Sequence, residues 1–385
     1  MSQPHALVLG ASGISGWSLL SQLRTYPSAG YWKRITGTTN RPFSFEQARI
    51  APEDRIQLVS GINLTDTVDK IVEGFRSKVK DIDTVTHVFF TAYIAKDGFQ
   101  ELKQINNLLL ENTIKAVEKF APKLESIILQ TGGKGYGLEF PKEVKIRPPL
   151  KEDMPRIPKP WYDNIFYYTQ YDLLQELSKG KKWTFSEIRP DGIVGFVPGT
   201  NAMNMAQGIA IYLALYRKEH GENAEVPFPG YEHGYHSTHS DTFQDLLAKF
   251  EIFAAVNPEK CGSGGVFNVA DQDQPVTWSY VWPGICEYFG LKGVGPREGT
   301  QPMQEFVQEH ISEWQKLCES IGLEADPVKY QNWGHVHFML VQFDFDRQYD
   351  LSHARQVGFT ESIDTVQGYR IAFDRMAAAK VIPKF

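Results

Sequence analysis

At 385 residues, with a formal charge of −6 and acids and bases interspersed, the chain can bury a large core and shows no basic face for nucleic acid. Its three cysteines, Cys261, Cys286 and Cys318, lack metal-type spacing and are expected to be reduced thiols. No apolar run approaches the length of a membrane span, and the first residues lack the basic and apolar regions of a signal peptide, so no membrane is expected and the cytoplasm is the expected compartment.

The apolar run Ala6-Leu7-Val8-Leu9 leads directly into Gly10-Ala11-Ser12-Gly13-Ile14-Ser15-Gly16 and then Trp17-Ser18-Leu19-Leu20. A buried strand, a glycine turn and a helix in this order open an α/β Rossmann-type doubly wound parallel sheet. Gly10, Gly13 and Gly16 let the backbone approach a pyrophosphate, which rests on the helix N-terminus at Ile14, with Ser12 and Ser15 as further donors. The G-x-x-G-x-x-G spacing is the form used by extended short-chain dehydrogenases.

Next comes Arg34-Ile35-Thr36-Gly37-Thr38-Thr39-Asn40-Arg41, with no acid at the strand end to hold the ribose 2′-hydroxyl of NAD. A guanidinium grips a 2′-phosphate, so Thr39, Asn40 and Arg41 favour NADP(H). Ile56-Gln57-Leu58-Val59 reads as the following strand, with Asn63 and Leu64 placed for the adenine. Val85 to Ala92 reads as another buried strand, along whose end (Thr91, Ala92, Tyr93) a cofactor can pass. Ser126 to Thr131 follows, placing Gln130 and Thr131 at the same edge of the sheet.

Six prolines between Pro141 and Trp161 make a long irregular connection, of the kind that often rims a binding site. A helix is expected over about Phe166 to Ser178, then a strand over Thr184 to Arg189 with Ile193 at the cofactor edge beyond it. Residues 1–195 are expected to be the NADP-binding domain, completed by strands near 235–270, including Gly265-Val266-Phe267-Asn268-Val269. Residues 196–234 and 271–385 are expected to form a smaller substrate-covering lobe, with Trp314, Trp333 and Phe338 in its core. Ile371-Ala372-Phe373…Met376 has the spacing of a C-terminal helix.

Short-chain dehydrogenases usually carry Tyr-x-x-x-Lys on one helix. Here Asn164-Ile165-Phe166-Tyr167-Tyr168-Thr169-Gln170-Tyr171-Asp172 supplies tyrosines, but Tyr171, Asp172 and Gln175 stand where the lysine belongs. A candidate cation is Lys134, in the glycine-rich Gly132-Gly133-Lys134-Gly135-Tyr136-Gly137 at a strand end, where open α/β sheets bind their ligands.

Thr131-Gly-Gly-Lys134-Gly-Tyr136 followed by Phe166-Tyr167-Tyr168-x-x-x-Asp172 resembles the plant progesterone 5β-reductase and iridoid synthase family, atypical short-chain dehydrogenases whose lysine sits on that strand-end loop. The resemblance continues through Arg189-Pro190-Asp191-Gly192, Met203-Asn204, Phe267-Asn268-Val269 and Lys380-Val381-Ile382-Pro383, nearly the whole chain. It implies Lys134 and Tyr167 as the catalytic pair, Phe140 and Asn204 in the substrate pocket, Arg41 on the 2′-phosphate, and NADPH-dependent reduction of a double bond conjugated to a carbonyl. Tyr136 and Tyr235 are further substrate-contact candidates. The chain departs from the family pattern at Gly135, where histidine is usual, and at Tyr171-Asp172, where Glu-Asp is usual, so no steroid or iridoid preference follows.

When hydride adds to an enone, charge collects on the carbonyl oxygen, and a tyrosine hydroxyl aimed there is an oxyanion donor. A simple ketone would need a full proton instead. An NADPH-dependent carbonyl reductase, a sugar-nucleotide epimerase and a non-catalytic NADP-binding regulator are the alternative functions. His233, His236, His239 and Asp241 have a spacing that suits pocket or surface positions better than a metal, and no metal is expected. The expected partner is a small carbonyl-containing substrate; monomer and homodimer are both open.

Overall fold

The structure, a computed structural model, describes residues 3–199, 203–324 and 327–385. Seven parallel strands form one sheet in the order β10-β6-β5-β4-β1-β2-β3. They are β1 (His5–Leu9), β2 (Arg34–Thr39), β3 (Ile56–Ser60), β4 (His87–Phe90), β5 (Ser126–Gln130), β6 (Thr184–Pro190) and β10 (Gly265–Val269). β1 is buried at every residue, as expected of a central strand covered by helices on both faces. The strand order reverses between β1 and β4, so the ligand crevice of the fold opens over the C-terminal ends of those two strands.

β4 is shorter than the sequence suggests. Thr86, just before it, still bonds His5 through both its amide and its hydroxyl, and after Thr91, whose amide bonds the Leu9 carbonyl, the chain passes over the glycine turn, where a Cβ on Gly10 would lie 2.8 Å from the Thr91 carbonyl oxygen. The expected helix runs over Phe166–Leu177, and the C-terminal one over Thr365–Ala378.

Apart from this sheet the chain forms two short parallel pairs, β7 (Gly192–Val194) with β9 (Asp241–Phe243) and β8 (Glu225–Pro227) with β11 (Lys292–Val294), and helix Gln244–Val256 lies against β5 and β6. Helix Met205–His220 is buried continuously from Met205 to Leu215, the mark of a helix surrounded by protein. Trp314 is fully buried and Trp333 nearly so, while Phe338 is only partly covered.

A polar network is sealed where β6, β7, β9 and the segment before Asp350 meet. The Arg347 guanidinium pairs with Asp191, the Asp191 amide bonds Thr242 Oγ1 at 3.1 Å, and Thr242 donates to the Val269 carbonyl at 2.7 Å. Thr365 donates to Asp271 at 3.0 Å, tying the C-terminal helix to the end of β10. The histidines go to separate places. His239 stacks on Trp278 with ring centres 5.1 Å apart, His236 meets Glu232 at 3.1 Å, and His233 is exposed. All three cysteines are buried and free. Among the described residues, no helix is long and apolar enough to cross a membrane.

Candidate active site

The glycine turn after β1 is built for close approach. Gly10 has φ +87°, and a Cβ on Gly16 would lie 2.3 Å from the Gly10 carbonyl oxygen, so only glycine lets helix Ile14–Gln22 start this near the strand. That helix has no acid in its first turn and no side-chain cap at Gly13, leaving its N-terminal amides for an anion. This cradle and these open donors fit the pyrophosphate of a nicotinamide dinucleotide. At the end of β2, Thr39 donates to the Arg41 carbonyl, and Asn40 and Arg41 are exposed. Arg41 has no ion-pair partner among the described residues. Asn63 turns its side-chain oxygen onto Thr65 at 2.8 Å, so that oxygen is not free for an adenine; Leu64 is buried beside it.

Over the crevice, the loop after β4 is pinned by Asn106, which is fully buried and bonds both backbone groups of Ile94 at 2.8 and 2.9 Å. This fixes Tyr93, whose ring stacks on Phe166 at 6.1 Å. Phe99 lies 5.5 Å from Phe140, and Phe166 lies 4.4 Å from Tyr167. Phe140, Phe166 and Tyr167 belong to one apolar cluster, extended by Tyr93 against Phe166 and by Phe99 against Phe140.

Beneath, the β5 loop is held by charges on β6. Thr131 donates to Glu187 at 2.7 Å, Arg189 pairs with Glu187 at 2.9 Å, and the Arg189 guanidinium lies 5.3 Å from the centre of the Tyr136 ring. Gln130 leaves its side-chain oxygen buried without a partner. Lys134 sits in the single turn Gly133–Tyr136, its ammonium 2.8 Å from a Glu139 oxygen.

The tyrosines of helix Phe166–Leu177 separate by their partners. Tyr168 donates to the Gly135 carbonyl and accepts from the Ile157 amide at 3.1 Å, while Tyr171 donates to the Gly264 carbonyl at 2.8 Å. The Tyr167 hydroxyl has no hydrogen-bond partner among the described residues, and a Cβ on Gly132 would lie 3.8 Å from it. Burial above all, and then Tyr93, Glu139 and Glu187, pushes its pKa far above the usual phenol range.

Asn204 caps helix Met205–His220 with its side-chain oxygen, 3.1 Å from the Gln207 amide, and leaves its Nδ2 buried and unpaired. His335, in the turn of helix Trp333–His337, lies in reach of the Lys134 charge. Burial first, and Lys134 second, lowers its pKa to about 4, so it is neutral at pH 7.

Two expectations change here. Tyr136, expected against the substrate, commits its hydroxyl to Asn268 at 2.6 Å and supports the loop from below. Tyr235, also expected there, packs against Phe228 at 5.3 Å and under Gly295, in the core of the second lobe. Ile193 lies on β7 opposite Thr242. Glu139, Phe99 and His335 are the site residues that motif reading missed. The one signal available was a lone carboxylate beside Phe140 in a stretch, Gly132 to Phe140, whose only other charge is Lys134.

The chain matches the family described as "PRISE-like Rossmann-fold domain" over residues 6–383. It is 33% identical to the short chain dehydrogenase ausT of Aspergillus calidoustus over 99% of this chain and 95% of that one. It is 28% identical to the (S)-8-oxocitronellyl enol synthase ISY1 of Nepeta racemosa (98% and 93% covered) and 29% identical to the 3-oxo-Delta(4,5)-steroid 5-beta-reductase of Arabidopsis thaliana (98% and 93%). Among solved structures, the UDP-glucose 4-epimerase of Thermus thermophilus in complex with NAD superposes with a TM-score of 0.60 at 14% identity, over 97% of this chain and 99% of that one. At that identity the likeness concerns the fold.

Proposed function

We propose that this chain, which belongs to the PRISE-like Rossmann-fold family, reduces a carbon–carbon double bond conjugated to a carbonyl, with NADPH as reductant. It is an oxidoreductase of the short-chain dehydrogenase class with a nicotinamide cofactor. The observation that carries the finer reading is the selective freedom of Tyr167, since Tyr168 and Tyr171 both have their hydroxyls engaged.

When bound, the reduced nicotinamide supplies the hydride for the β-carbon. The chain's own residues do the rest. Gly10, Gly13 and Gly16 admit the pyrophosphate to the helix N-terminus, and Arg41 grips the 2′-phosphate. The aromatic cluster excludes water from the apolar body of the substrate, and Asn204 Nδ2 is a spare donor for a polar group on it. Tyr167 donates to the carbonyl oxygen as negative charge grows there. A phenol with a pKa raised this far by burial holds its proton, which suits hydrogen-bond donation to an enolate better than delivery of a proton to an alkoxide. Protonation at carbon then completes the saturated carbonyl.

The names of the plant relatives, an enol synthase and a steroid 5-beta-reductase, support reduction of an enone, while the fungal relatives carry no substrate in theirs. Anaerobic NADPH oxidation is to be followed with a matched panel of enones, enals and saturated ketones. Turnover confined to the conjugated compounds, with saturated carbonyl products, is expected. Turnover of saturated ketones alone would replace this reading with carbonyl reduction.

A further inference from the structure

We propose that Glu139 is a positioning residue for Lys134, an inference that rests on the reading of Lys134 and Tyr167 as the catalytic pair. The Lys134 ammonium has no support from its immediate neighbours, which are Gly133 and Gly135. Glu139 supplies that support from the same loop, its carboxylate 2.8 Å from the ammonium.

The carboxylate is itself held from both sides. Leu138 is 3% exposed and Phe140 9%, so the backbone around Glu139 is anchored by two buried side chains. Leu138 also closes on the loop beneath Lys134, its Cδ1 lying 2.7 Å from where a Cβ on Gly133 would be. Glu139 is thus a charged group on a rigid base, facing a lysine on a flexible stem.

An ammonium has three donors. With one directed at Glu139, the direction of the other two is restricted, and they are left for a ribose or a substrate oxygen. Around the pair, Tyr93 from the loop after β4 feels both charges, His335 feels Lys134, and Tyr167 on its helix feels Glu139 and, more weakly, Glu187 from β6. Glu187 is already matched by Arg189. Glu139 therefore does two things. It aims the ammonium, and as a negative charge in reach of Tyr167 it adds to the burial that keeps the phenol protonated. The side chains of the pair are 23% and 19% exposed, a degree at which an ion pair adds little to stability, so its main consequence is geometric.

The test is a double-mutant cycle on Glu139→Ala and Lys134→Met, with Glu139→Gln as the conservative variant. Read out are kcat for the best carbonyl compound of the panel, the NADPH dissociation constant by fluorescence titration, and the unfolding midpoint. Glu139→Ala is expected to lower kcat about tenfold with NADPH affinity changed less than about threefold. Glu139→Gln should recover part of the loss, because its amide oxygen still accepts from the ammonium. In the Lys134→Met background, Glu139→Ala should change kcat less than about twofold. An equal loss in both backgrounds would make Glu139 a loop support and overturn the inference. A Lys134-dependent enzyme indifferent to Glu139→Ala would overturn it as well, leaving the catalytic pair intact. An unchanged kcat in Lys134→Met alone would overturn the catalytic pair and this inference together.

Discussion

Two ion pairs of the same chain, Arg347–Asp191 and Lys134–Glu139, sit in opposite surroundings. The first has side chains 1% and 4% exposed, at the seam between the sheet and the second lobe; the second has them 23% and 19% exposed, at the mouth of the crevice. A sealed pair cannot lose a partner without stranding a charge in protein, so it locks the lobe to the sheet. An open pair can exchange a partner for water or a ligand at small cost, so it can take part in chemistry. The hydroxyls differ in pairing rather than depth: both are buried, but Tyr369 has Asp241 3.5 Å away, while Tyr167 has no hydrogen-bond partner among the described residues. For the ion pairs depth, and for the tyrosines pairing, separates what holds this protein from what it works with.

The strongest way to break the comparison is Arg347→Met. Removing one partner of a buried pair typically costs about 3–5 kcal/mol, and a loss of that size is expected in urea unfolding. Lys134→Met should cost no more than about 1 kcal/mol in the same measurement, as for an exposed pair. Equal losses would erase the distinction between the two pairs.

Glu251 sharpens the buried side. It is fully buried, neither carboxylate oxygen has a hydrogen-bond partner among the described residues, and burial pushes its pKa up to about 8. The folded chain keeps this proton where the unfolded chain releases it near 4.5, so the group's stabilising contribution is whole below that pH and is lost as pH rises toward 8. Glu251→Gln should flatten the fall in melting temperature between those limits, by at most about 5 kcal/mol of stability at the alkaline end. Parallel pH profiles for the variant and the parent would show that Glu251 has a partner after all.

On the open side, Tyr167→Phe should lower kcat by about 10²–10³ with NADPH binding intact, as for loss of one oxyanion donor. Tyr168→Phe should instead cost stability, because its hydroxyl bonds Gly135 and Ile157. If Tyr168→Phe abolished turnover and Tyr167→Phe spared it, the assignment along this helix would be reversed. Arg41 is expected to act on cofactor choice. Arg41→Ala should remove about 1.5–3 kcal/mol of the preference for NADPH over NADH, measured as two dissociation constants. Equal affinity for both cofactors in the parent would show that Arg41 reads no phosphate.

Much of this was decided by local pattern. The run Ala6 to Gly16 determined a strand, a glycine turn and a helix, because tight turns and close packing admit few residue types at those places. The strand and helix alternation up to Gln130 determined the parallel sheet, and the absence of lysine after the tyrosines left either a lost catalytic pair or a cation from another element. Which tyrosine keeps a free hydroxyl was beyond the sequence. Tyr167 and Tyr168 are adjacent and chemically identical, and only the packing of their helix against Gly135, Ile157 and Gly132 spends one and frees the other. Tyr136 and Tyr235 show the same limit in reverse: their residue type suited a substrate contact, but Asn268, far off in the chain, claimed the first, and Phe228, one turn of chain before it, the second. Glu139, Arg347 and Asp191 gain their roles from depth and distance, quantities set when separate segments meet. The sequence by itself determined the fold and the crevice, since these follow from short-range sterics and hydrophobic periodicity; the tertiary structure alone decided which polar groups were left unpaired there.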